Sequence, residues 1–496
     1  MTLNSSGPIS LGGPTTGQSI NLELGQSAAQ QVSLNDTNVR TLAGVASGPI
    51  AIPTNFYGKS SSVGWILFTG RNTSSFNNQQ QGGGFVVDAS SNIYWTYYKQ
   101  TAPNAYGYAA ANKDGTVTAY TAPYGSSTGP QMYPIVSKYS GTRVPFSTNN
   151  EINSSYPLNV LNSSLTKDWS SPRGYSSGGS GGATYAYAGR SQMGIASDGA
   201  VYVPVLVSQP KSINAFGLVR QTSTGSVAWF KNTSGMFGAL SCTAAVLTDD
   251  TGVLYVKYGG ASSANMFFFS TSGTITQYSS SNVYDTGGDP LLVVDSSNNI
   301  YFTHGDLRVF KLNANKTAGY VKSFSFGSAG YPANLKAQSL AEYNGNLYIA
   351  SYDSTNANGK RGVYIHCFTA STFTHQWTNW FSFASASNYS AIGGVSIYAN
   401  ADGVFTSFIC DQGTLGSYIM RIPLTGMPSN SSVVVNSGGV NRTLSWIQNI
   451  TNPTITTDSN FPFTSDSRTF FNGGSSTGTT YTATSVAAPT ATKTSV

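Results

Sequence analysis

Residues 289–303 read Asp289-Pro290-Leu291-Leu292-Val293-Val294-Asp295-Ser296-Ser297-Asn298-Asn299-Ile300-Tyr301-Phe302-Thr303. The first half is a short apolar run bounded by turn-forming residues, a pattern typical of a strand that is covered on both faces. A turn of Asp, Ser and Asn follows, and then a second strand that opens on an Ile-Tyr pair. The stretch therefore predicts a buried strand, a tight turn and a second buried strand.

The same unit recurs along the chain, and the aromatic residue of its second strand marks each copy. These residues are Tyr94, Tyr202, Tyr255, Tyr301, Tyr348 and Phe405, and their spacings are 108, 53, 46, 47 and 57 residues. Two further strand-like segments follow the pair, as at 216–220 and 226–230. Four short strands in each period of roughly 40–50 residues are the signature of propeller blades. The sequence thus predicts an all-β fold, a β-propeller.

The predicted blade count is seven, with six as the alternative, because the first spacing is about twice the others. The poorly patterned region 121–189 would then hold a degenerate blade with long loops. The segment 62–69 predicts a strand that closes the last blade, since a ring closed by strands from both ends has no free edges. Hairpin turns are predicted at four dipeptides that separate strand-like runs. They are Asp114-Gly115, Asp198-Gly199, Asn344-Gly345 and Asp402-Gly403.

The composition and pattern of the sequence divide the chain into three regions: a small arm at 1–60, the propeller at 61–450, and a Ser/Thr-rich segment at 451–496. In the arm, the alternation of 19–25 predicts a short half-buried strand. Residues 35–44 predict a helix, with Asn35 or Asp36 as N-cap and Gly44 as its stop. So short an arm has little apolar surface of its own, so we expect it to need a partner. Composition leaves open whether 451–496 is ordered.

Composition excludes several classes of function. Only 9% of the residues are charged, against about 25% in an average protein. The net charge of +6 is spread thinly, so we expect no nucleic-acid partner, which would need clustered basic residues. There is no apolar run long enough for a membrane span and no secretory signal at the N-terminus. An uncharged, hydroxyl-rich surface without an export signal fits a virion component assembled in the host cytoplasm, and it also fits a mature secreted protein whose signal has been removed. Met1 favours the first.

Four ordered pieces of the N-terminal region carry a resemblance to a known family. They are 7–13 (Gly-Pro-Ile-Ser-Leu-Gly-Gly), 17–25 (Gly-Gln-Ser-Ile-Asn-Leu-Glu-Leu-Gly), 39–44 (Val-Arg-Thr-Leu-Ala-Gly) and 55–60 (Asn-Phe-Tyr-Gly-Lys-Ser). They resemble the N-terminal segment of tail and fibre structural proteins of tailed bacteriophages, of the marine and cyanophage type. The resemblance covers about 60 of 496 residues. It implies a virion protein. We expect it to attach to other tail proteins and to be a homo-oligomer or to be present in several copies in the particle. The assembly residues proposed for this arm are Leu22, Leu24, Arg40, Leu42, Phe56 and Tyr57.

The segment 222–229, Thr-Ser-Thr-Gly-Ser-Val-Ala-Trp, resembles the tryptophan-docking repeat of quinoprotein-like propellers. A looser copy is 369–372 followed by Trp377. The Gly permits a tight turn, and the Trp ring wedges between neighbouring blades. In that family the repeat is structural, and the enzymes need an acidic metal cluster that this sequence lacks. We therefore expect no cofactor and no metal.

Propellers also carry glycoside hydrolases, which need two carboxylates roughly 5–10 Å apart. The segment 196–202 matches a sialidase-type Asp box (Ser-x-Asp-x-Gly-x-Thr-Trp) only in part, and Asp198-Gly199 is explained by a hairpin. Acids that a ring would bring together are Asp168, Asp285, Asp306 and Asp353. Because acids are scarce, the sequence predicts a protein that is not an enzyme. The alternative is a depolymerase that acts on host-envelope polysaccharide.

The remaining chemistry-bearing residues favour structural roles. His304, His366 and His375 lack metal-ligand spacing and predict hydrogen-bonded strand residues. Cys242, Cys367 and Cys410 predict reduced core thiols. Tyrosines crowd 97–124 and 185–187, and a group of this kind suits contact with a host surface glycan. The overall prediction is a phage tail or tail-fibre protein whose propeller is displayed for attachment or assembly.

Overall fold

The computed structural model describes most of the strands and the N-terminal region. The described residues are 3–4, 6–15, 18–24, 27–43, 45, 47–57, 64–72, 85–99, 105–124, 135–136, 144–147, 158–161, 167–170, 184–187, 193–208, 215–233, 239–247, 250–259, 263–281, 291–304, 306–314, 318–325, 335–353, 362–383, 392–411, 415–427, 431–437, 440–448, 453–462, 471–472 and 492–495. The chain divides into two compact units. Unit 1 is Met1–Trp65 with Ser495–Val496, and unit 2 is Ile66–Thr494.

The described residues contain two helices, both in unit 1: α1 (Ile20–Glu23) and α2 (Thr37–Ala43). The strands of the first third are β1 (Trp65–Asn72), β2 (Phe85–Val87), β3 (Ile93–Lys99), β4 (Ala105–Ala111), β5 (Val117–Tyr124), β6 (Ile135–Val136), β7 (Val144–Ser147), β8 (Leu158–Leu161), β9 (Lys167–Ser170) and β10 (Thr184–Tyr187). Those of the middle are β11 (Met193–Ile195), β12 (Val201–Ser208), β13 (Ala215–Gln221), β14 (Val227–Thr233), β15 (Ala239–Val246), β16 (Gly252–Gly259), β17 (Ser263–Ser270), β18 (Ile275–Ser281), β19 (Leu291–Val294), β20 (Ile300–His304), β21 (Asp306–Leu312) and β22 (Ala318–Ser325). The last are β23 (Leu335–Tyr343), β24 (Asn346–Asp353), β25 (Val363–Thr369), β26 (His375–Phe383), β27 (Ile392–Asn400), β28 (Gly403–Asp411), β29 (Leu415–Ile422), β30 (Ser431–Ser437), β31 (Val440–Gln448), β32 (Thr454–Pro462), β33 (Phe471–Asn472) and β34 (Thr492–Ser495).

Unit 2 is an all-β propeller, which confirms the predicted fold class. Five sheets contain four consecutive antiparallel strands: blade 1 (β2–β5), blade 2 (β11–β14), blade 3 (β15–β18), blade 4 (β19–β22) and blade 5 (β23–β26). The first strand of a blade lies against the first strands of the blade before it, as β15 lies against β11 and β12. The repeat of strand, turn, strand, loop, strand, turn, strand is thus the one that the Ile-Tyr spacing predicted.

The predicted count of seven blades, or six, is wrong: among the described residues there are five blades of four consecutive strands. The described strands of the region 121–189 do not form another such blade. Its strands β7–β9 make a separate three-stranded sheet, and β6 and β10 join the sheet of blade 2. The sheet after blade 5 is of mixed origin, because β27–β29 are completed by β1 and β34. This closing sheet contains the strand that the sequence predicted from 62–69.

The apolar strands are buried on both faces because neighbouring blades pack face to face. In blade 4, Leu292 and Val294 belong to the core shared with blade 3, while Val293 belongs to the core shared with blade 5. The aromatics of the Ile-Tyr pairs fill these cores, and Tyr94, Tyr202, Tyr301, Tyr348 and Phe405 are at most 1% exposed. The continuous apolar run of 291–294 is therefore explained by two-sided burial.

The C-terminal region adds strands to the outer edges of several blades. β31 and β30 extend blade 5, β32 lies beside β22 of blade 4, and β33 lies beside β14 of blade 2. The segment 479–488, for which a further β segment was considered, lies outside the described residues. No helix in the described part of the chain is long and apolar enough to cross a membrane.

Unit 1 has a small hydrophobic core of its own. Its fully buried members are Leu3, Ile9, Ile20, Val39, Leu42, Ala43 and Phe56. The predicted helix is confirmed as α2. The predicted strand at 19–25 is wrong, because those residues form α1, which Ser19 caps by accepting a hydrogen bond from the Leu22 N–H at 3.3 Å. An alternation of five residues was too short to outweigh a capping serine.

Candidate functional site

The six residues assigned to the assembly arm all lie in unit 1, but they differ in exposure. Leu42 and Phe56 are core residues, 6% and 0% exposed. Leu22 is half-buried, and Leu24 and Tyr57 are half-buried against the core. The Tyr57 hydroxyl donates a 3.0 Å hydrogen bond to the Gly7 carbonyl and so ties the two ends of the unit together. Their role in assembly stays a prediction.

Arg40 holds two loops of unit 1 together. Its guanidinium donates to the Gly48 carbonyl at 2.7 Å, to Asn35 Oδ1 at 3.2 Å and to the Leu34 carbonyl at 3.5 Å. Because these acceptors satisfy much of the guanidinium, its first role is to fix the loops that flank α2.

In blade 1 the turn between β2 and β3 is built around the carboxylate of Asp88. The carboxylate accepts hydrogen bonds from the N–H groups of Ser90 and Asn92, from Asn92 Nδ2 and from the Tyr94 hydroxyl, at 2.8–2.9 Å. Burial, with the Asp88 charge beside it, raises the pKa of Tyr94 well above its usual value. The carboxylate is saturated with donors, so it has no position left for a substrate.

Blade 4 repeats this arrangement in the turn of 295–301. Asp295 accepts from the N–H groups of Ser297 and Asn299, from Asn299 Nδ2 and from the Tyr301 hydroxyl, at 2.8–3.1 Å. The ammonium of Lys311 lies 5.4 Å from the centroid of the Tyr301 ring, and burial lowers the pKa of Lys311. The spacing Asp-x-x-x-Asn-x-Tyr is therefore the signal of a structural carboxylate in this chain.

Replacing Asp295 by alanine should lower the free energy of unfolding by about 2–3 kcal/mol, because it leaves buried donors without an acceptor. The matched control is Asp198→Ala, the same change at a turn carboxylate that is 59% exposed and pairs with Arg220. We expect that control to cost at most about 1 kcal/mol. Urea unfolding of the two variants measures the difference, and equal losses would contradict a structural role specific to Asp295.

The partial Asp-box match at 196–202 is a hairpin whose charge is neutralised by a neighbouring strand. Asp198 accepts from the Ala200 N–H at 2.8 Å and from Arg220 Nη2 at 2.9 Å. Arg220 Nε in turn donates to the Tyr202 hydroxyl at 3.0 Å. In blade 2, therefore, the hydroxyl of Tyr202 is bound by Arg220. In blades 1 and 4 the hydroxyl of the corresponding tyrosine is bound by the Asp carboxylate of the turn.

Two tryptophans dock one sheet onto the next, as the quinoprotein-like repeat predicted. Trp229 Nε1 of blade 2 donates to the Thr271 carbonyl of blade 3 at 2.8 Å, and a Cβ on Gly273 would come within 2.8 Å of the indole ring. Trp377 Nε1 of blade 5 donates to the Leu424 carbonyl after β29 at 3.2 Å, beside Gly426. Both glycines have φ near +80°, which an L side chain rarely adopts.

A chain of buried polar side chains runs across blade 5. Ser351 Oγ is 2.8 Å from His366 Nε2, and His366 Nδ1 is 3.0 Å from Thr378 Oγ1. Thr378 Oγ1 is also 2.8 Å from His375 Nε2. Burial, helped by His375, lowers the pKa of His366 to about 3. The prediction that His366 and His375 are hydrogen-bonded strand residues is confirmed; the side chain of His304 is outside the description.

A polar cluster joins the closing sheet to blade 1. Asp402 accepts from Ser91 Oγ at 2.7 Å and from Lys113 Nζ at 3.1 Å. Asn400 Nδ2 donates to Ser91 Oγ, and Arg421 Nε donates to the Asp402 carbonyl. Burial would raise the pKa of Asp402, but the bonds from Ser91 and Lys113 and the nearby cations outweigh it and lower the pKa. The cluster ties strands from opposite ends of the propeller sequence.

The tyrosine group of blade 1 follows the register of its strands. Tyr98 pairs with Tyr106, and Tyr106 pairs with Tyr124, so the three positions form one row across β3, β4 and β5. Tyr185 and Tyr187 lie on β10, opposite Val207 and Val205 of β12. Their side chains are outside the description, and contact with a host glycan stays a prediction.

The convergence of Asp168, Asp285, Asp306 and Asp353 in a ring stays a prediction, because their side chains lie outside the description. Asp168, Asp306 and Asp353 lie on β9, β21 and β24, while Asp285 falls outside the described residues. Within the described part of the chain, no three His, Cys, Asp or Glu residues group as metal ligands do. Cys367 is buried, and burial raises the pKa of its thiol to about 12, as expected of an inert core thiol. The side chains of Cys242 and Cys410 are not described.

The chain is similar to a number of solved structures, and one of them is a sialidase. No family model and no curated protein matches the chain. The structure is that of the Trypanosoma rangeli sialidase in complex with 2-keto-3-deoxy-D-glycero-D-galacto-2,3-difluoro-nononic acid, with a TM-score of 0.39 and 9% identity. The match covers 68% of this chain and spans about half, 52%, of the sialidase chain.

The expectation that the protein is not an enzyme is corrected by this comparison, since the matched propeller is an enzyme. That expectation rested on the scarcity of acids, which is a property of composition and not of a site. At this identity and TM-score, the match assigns no activity, substrate or catalytic residue to the chain.

Proposed function

We propose that this protein is a structural component of a bacteriophage virion, in the tail or a tail fibre. Residues 1–60 attach the chain to other tail proteins, and the propeller is displayed for host attachment or assembly. The observation that carries the proposal is that the region with the phage resemblance folds as a compact unit around its own core. A terminal unit with a separate core is the arrangement that an attachment module requires.

The hydrophobic residues of unit 1 support an interaction with another protein. Among the described residues, eight hydrophobic side chains that are only partly buried pack against its buried core, namely Leu11, Leu24, Val32, Leu34, Val45, Ile50, Ile52 and Tyr57. A unit of about 65 residues has a marginal core, so covering such side chains would stabilise it. Leu24 and Tyr57 are therefore the predicted arm residues best placed to contact a partner.

The construction of unit 2 supports a display role. Indole rings and charged hydrogen bonds join its sheets at several places, as at Trp229, Trp377 and Asp402. Rigid scaffolds of this kind present loops without having to reorganise them, which keeps the entropic cost of binding low. Host surface glycan is the partner class that the Tyr98, Tyr106 and Tyr124 row would suit.

Replacing Phe56, which is fully buried in unit 1, by serine should abolish incorporation into particles and leave the propeller folded. Loss of so large a core side chain costs about 3–5 kcal/mol, which is as much as a core of this size supplies. The control is Thr54→Ser at an exposed neighbouring position. Protein content of purified particles reports incorporation, and circular dichroism reports the propeller. Normal incorporation of an unfolded unit 1 would refute the proposal.

The alternative from the sequence, a depolymerase for host-envelope polysaccharide, has a direct assay. The purified chain would release reducing ends from host polysaccharide, and an Asp→Asn change at one of Asp168, Asp285, Asp306 or Asp353 would abolish the release. Such a result would replace the structural role by an enzymatic one. Asp88 and Asp295 are unsuited to that chemistry because their oxygens are saturated by turn donors.

A further inference from the structure

Among the described strands, the blade 5 sheet ends in an edge strand that lacks the usual protection. The sheet order is β23-β24-β25-β26-β31-β30, so β30 (Ser431–Ser437) has β31 as its single neighbour among the described strands. Its sequence, Ser-Ser-Val-Val-Val-Asn-Ser, contains no charge and no proline. Natural edge strands are usually protected by charged residues, proline or a bulge, because unpaired backbone groups recruit other strands. Val434, at the centre of β30, is 54% exposed.

The register of the β30–β31 hairpin determines which backbone groups point away from the sheet. Ser437 pairs with Val440, and only two residues separate them. A two-residue connection closes on a hydrogen-bonded pair, and such pairs alternate along an antiparallel ladder. Ser437, Val435, Val433 and Ser431 therefore bond to β31. The N–H and C=O groups of Ser432, Val434 and Asn436 point outward from the edge.

The edge is complementary to itself. Laid antiparallel against a second copy, β30 sets Val434 opposite Val434 of that copy and Val433 opposite Val435. Ser432 then faces Asn436. In this register the three outward-facing residues all fall on hydrogen-bonded pairs, and no charge is placed against a like charge.

We propose that β30 is an interface for a second copy of this chain, paired antiparallel about a two-fold axis at Val434. The two six-stranded sheets then form one continuous sheet across the dimer. A closed two-fold interface of this kind uses the same patch on both copies, which is the commonest symmetry of homo-oligomers. The inference does not depend on the proposed virion role.

Sedimentation of the full chain tests the pairing. We expect a concentration-dependent dimer that Val434→Pro disrupts, because proline removes an outward N–H while leaving the β31 bonds intact. Val434→Lys places two like charges opposite each other and should weaken dimerisation about tenfold or more. The control is Ile447→Lys on β31, which removes the other exposed apolar side chain (37% exposed) but leaves the edge unchanged. A wild-type monomer at all soluble concentrations, or equal weakening by both lysine variants, would overturn the proposal.

Cysteine cross-linking tests the register. Val434→Cys should form a disulfide between copies under mild oxidation, since paired strands bring the two Cα atoms to about 5.5 Å. Ser432→Cys alone should not cross-link, whereas Ser432→Cys mixed with Asn436→Cys should. The unmodified chain, with its three native cysteines, is the background control. Cross-linking of Ser432→Cys to itself, or none at Val434→Cys, would rule out this pairing.

Discussion

Replacing Trp377 by alanine is expected to lower the free energy of unfolding by about 3–5 kcal/mol, because the indole fills the seam between blade 5 and the closing sheet. The ring is 6% exposed, and its centroid lies 6.1 Å from that of Tyr348. Its Nε1 donates to the Leu424 carbonyl, so alanine leaves a cavity and an unsatisfied acceptor together. Phenylalanine at this position keeps much of the packing and should cost about half as much.

Urea unfolding of the full chain, with tryptophan-independent detection by far-UV circular dichroism, measures this loss. The control is Gln376→Ala, which removes the neighbouring exposed side chain and should change stability by about 0.5 kcal/mol at most. The m-values of both variants should match the wild type, so that the midpoints report stability alone. A loss below about 1 kcal/mol for Trp377→Ala would mean that the seam does not depend on the indole.

The regular part of the propeller was predictable because its pattern is local. The Ile-Tyr pairs, the Asp-Gly and Asn-Gly turns and the docking tryptophans are each set by a short stretch of sequence. The described Ile-Tyr aromatics are buried, and the turn glycines have positive φ, as expected. The blade count was not predictable by the same means. It depends on which strands pair across long sequence separations, as β1 does with β29 and β32 with β22. Pairing partners of that kind leave no periodic signal.

The carboxylate turns show a second limit of sequence reasoning. Asp88 and Asp295 precede an Asn and a Tyr at the same spacing, yet the turn residues alone predict only that two strands are connected there. The tyrosine hydroxyl is the signal that indicates the role of the Asp, because a fully buried tyrosine needs a hydrogen-bond partner for its hydroxyl. In unit 1 the alternation predicts Asn21 and Glu23 on the polar face of a strand, but both are buried in α1.

The stability of the propeller should fall between pH 6.5 and pH 3 by about 5 kcal/mol through His366 alone. The unfolded chain carries a histidine with its ordinary pKa near 6.5, whereas burial lowers the folded pKa of His366 to about 3. Above pH 6.5 both states are neutral, and the contribution of His366 is fully present. Between the two values the unfolded state binds one more proton, so each pH unit removes about 1.4 kcal/mol.

A glutamine variant isolates this contribution from that of the carboxylates. His366→Gln keeps a polar side chain between Ser351 and Thr378 but cannot bind the proton. Between pH 6 and pH 4 its free energy of unfolding should therefore fall less steeply than that of the wild type, by the about 1.4 kcal/mol per pH unit that one proton contributes. His375→Gln, at a half-buried position, keeps the buried imidazole and should retain most of the wild-type slope. Urea unfolding at pH 7, 5.5 and 4 gives the three slopes. Identical slopes for wild type and His366→Gln would mean that His366 takes up its proton in the folded state, and the buried Ser351–His366–Thr378 chain would then have to open at mildly acidic pH.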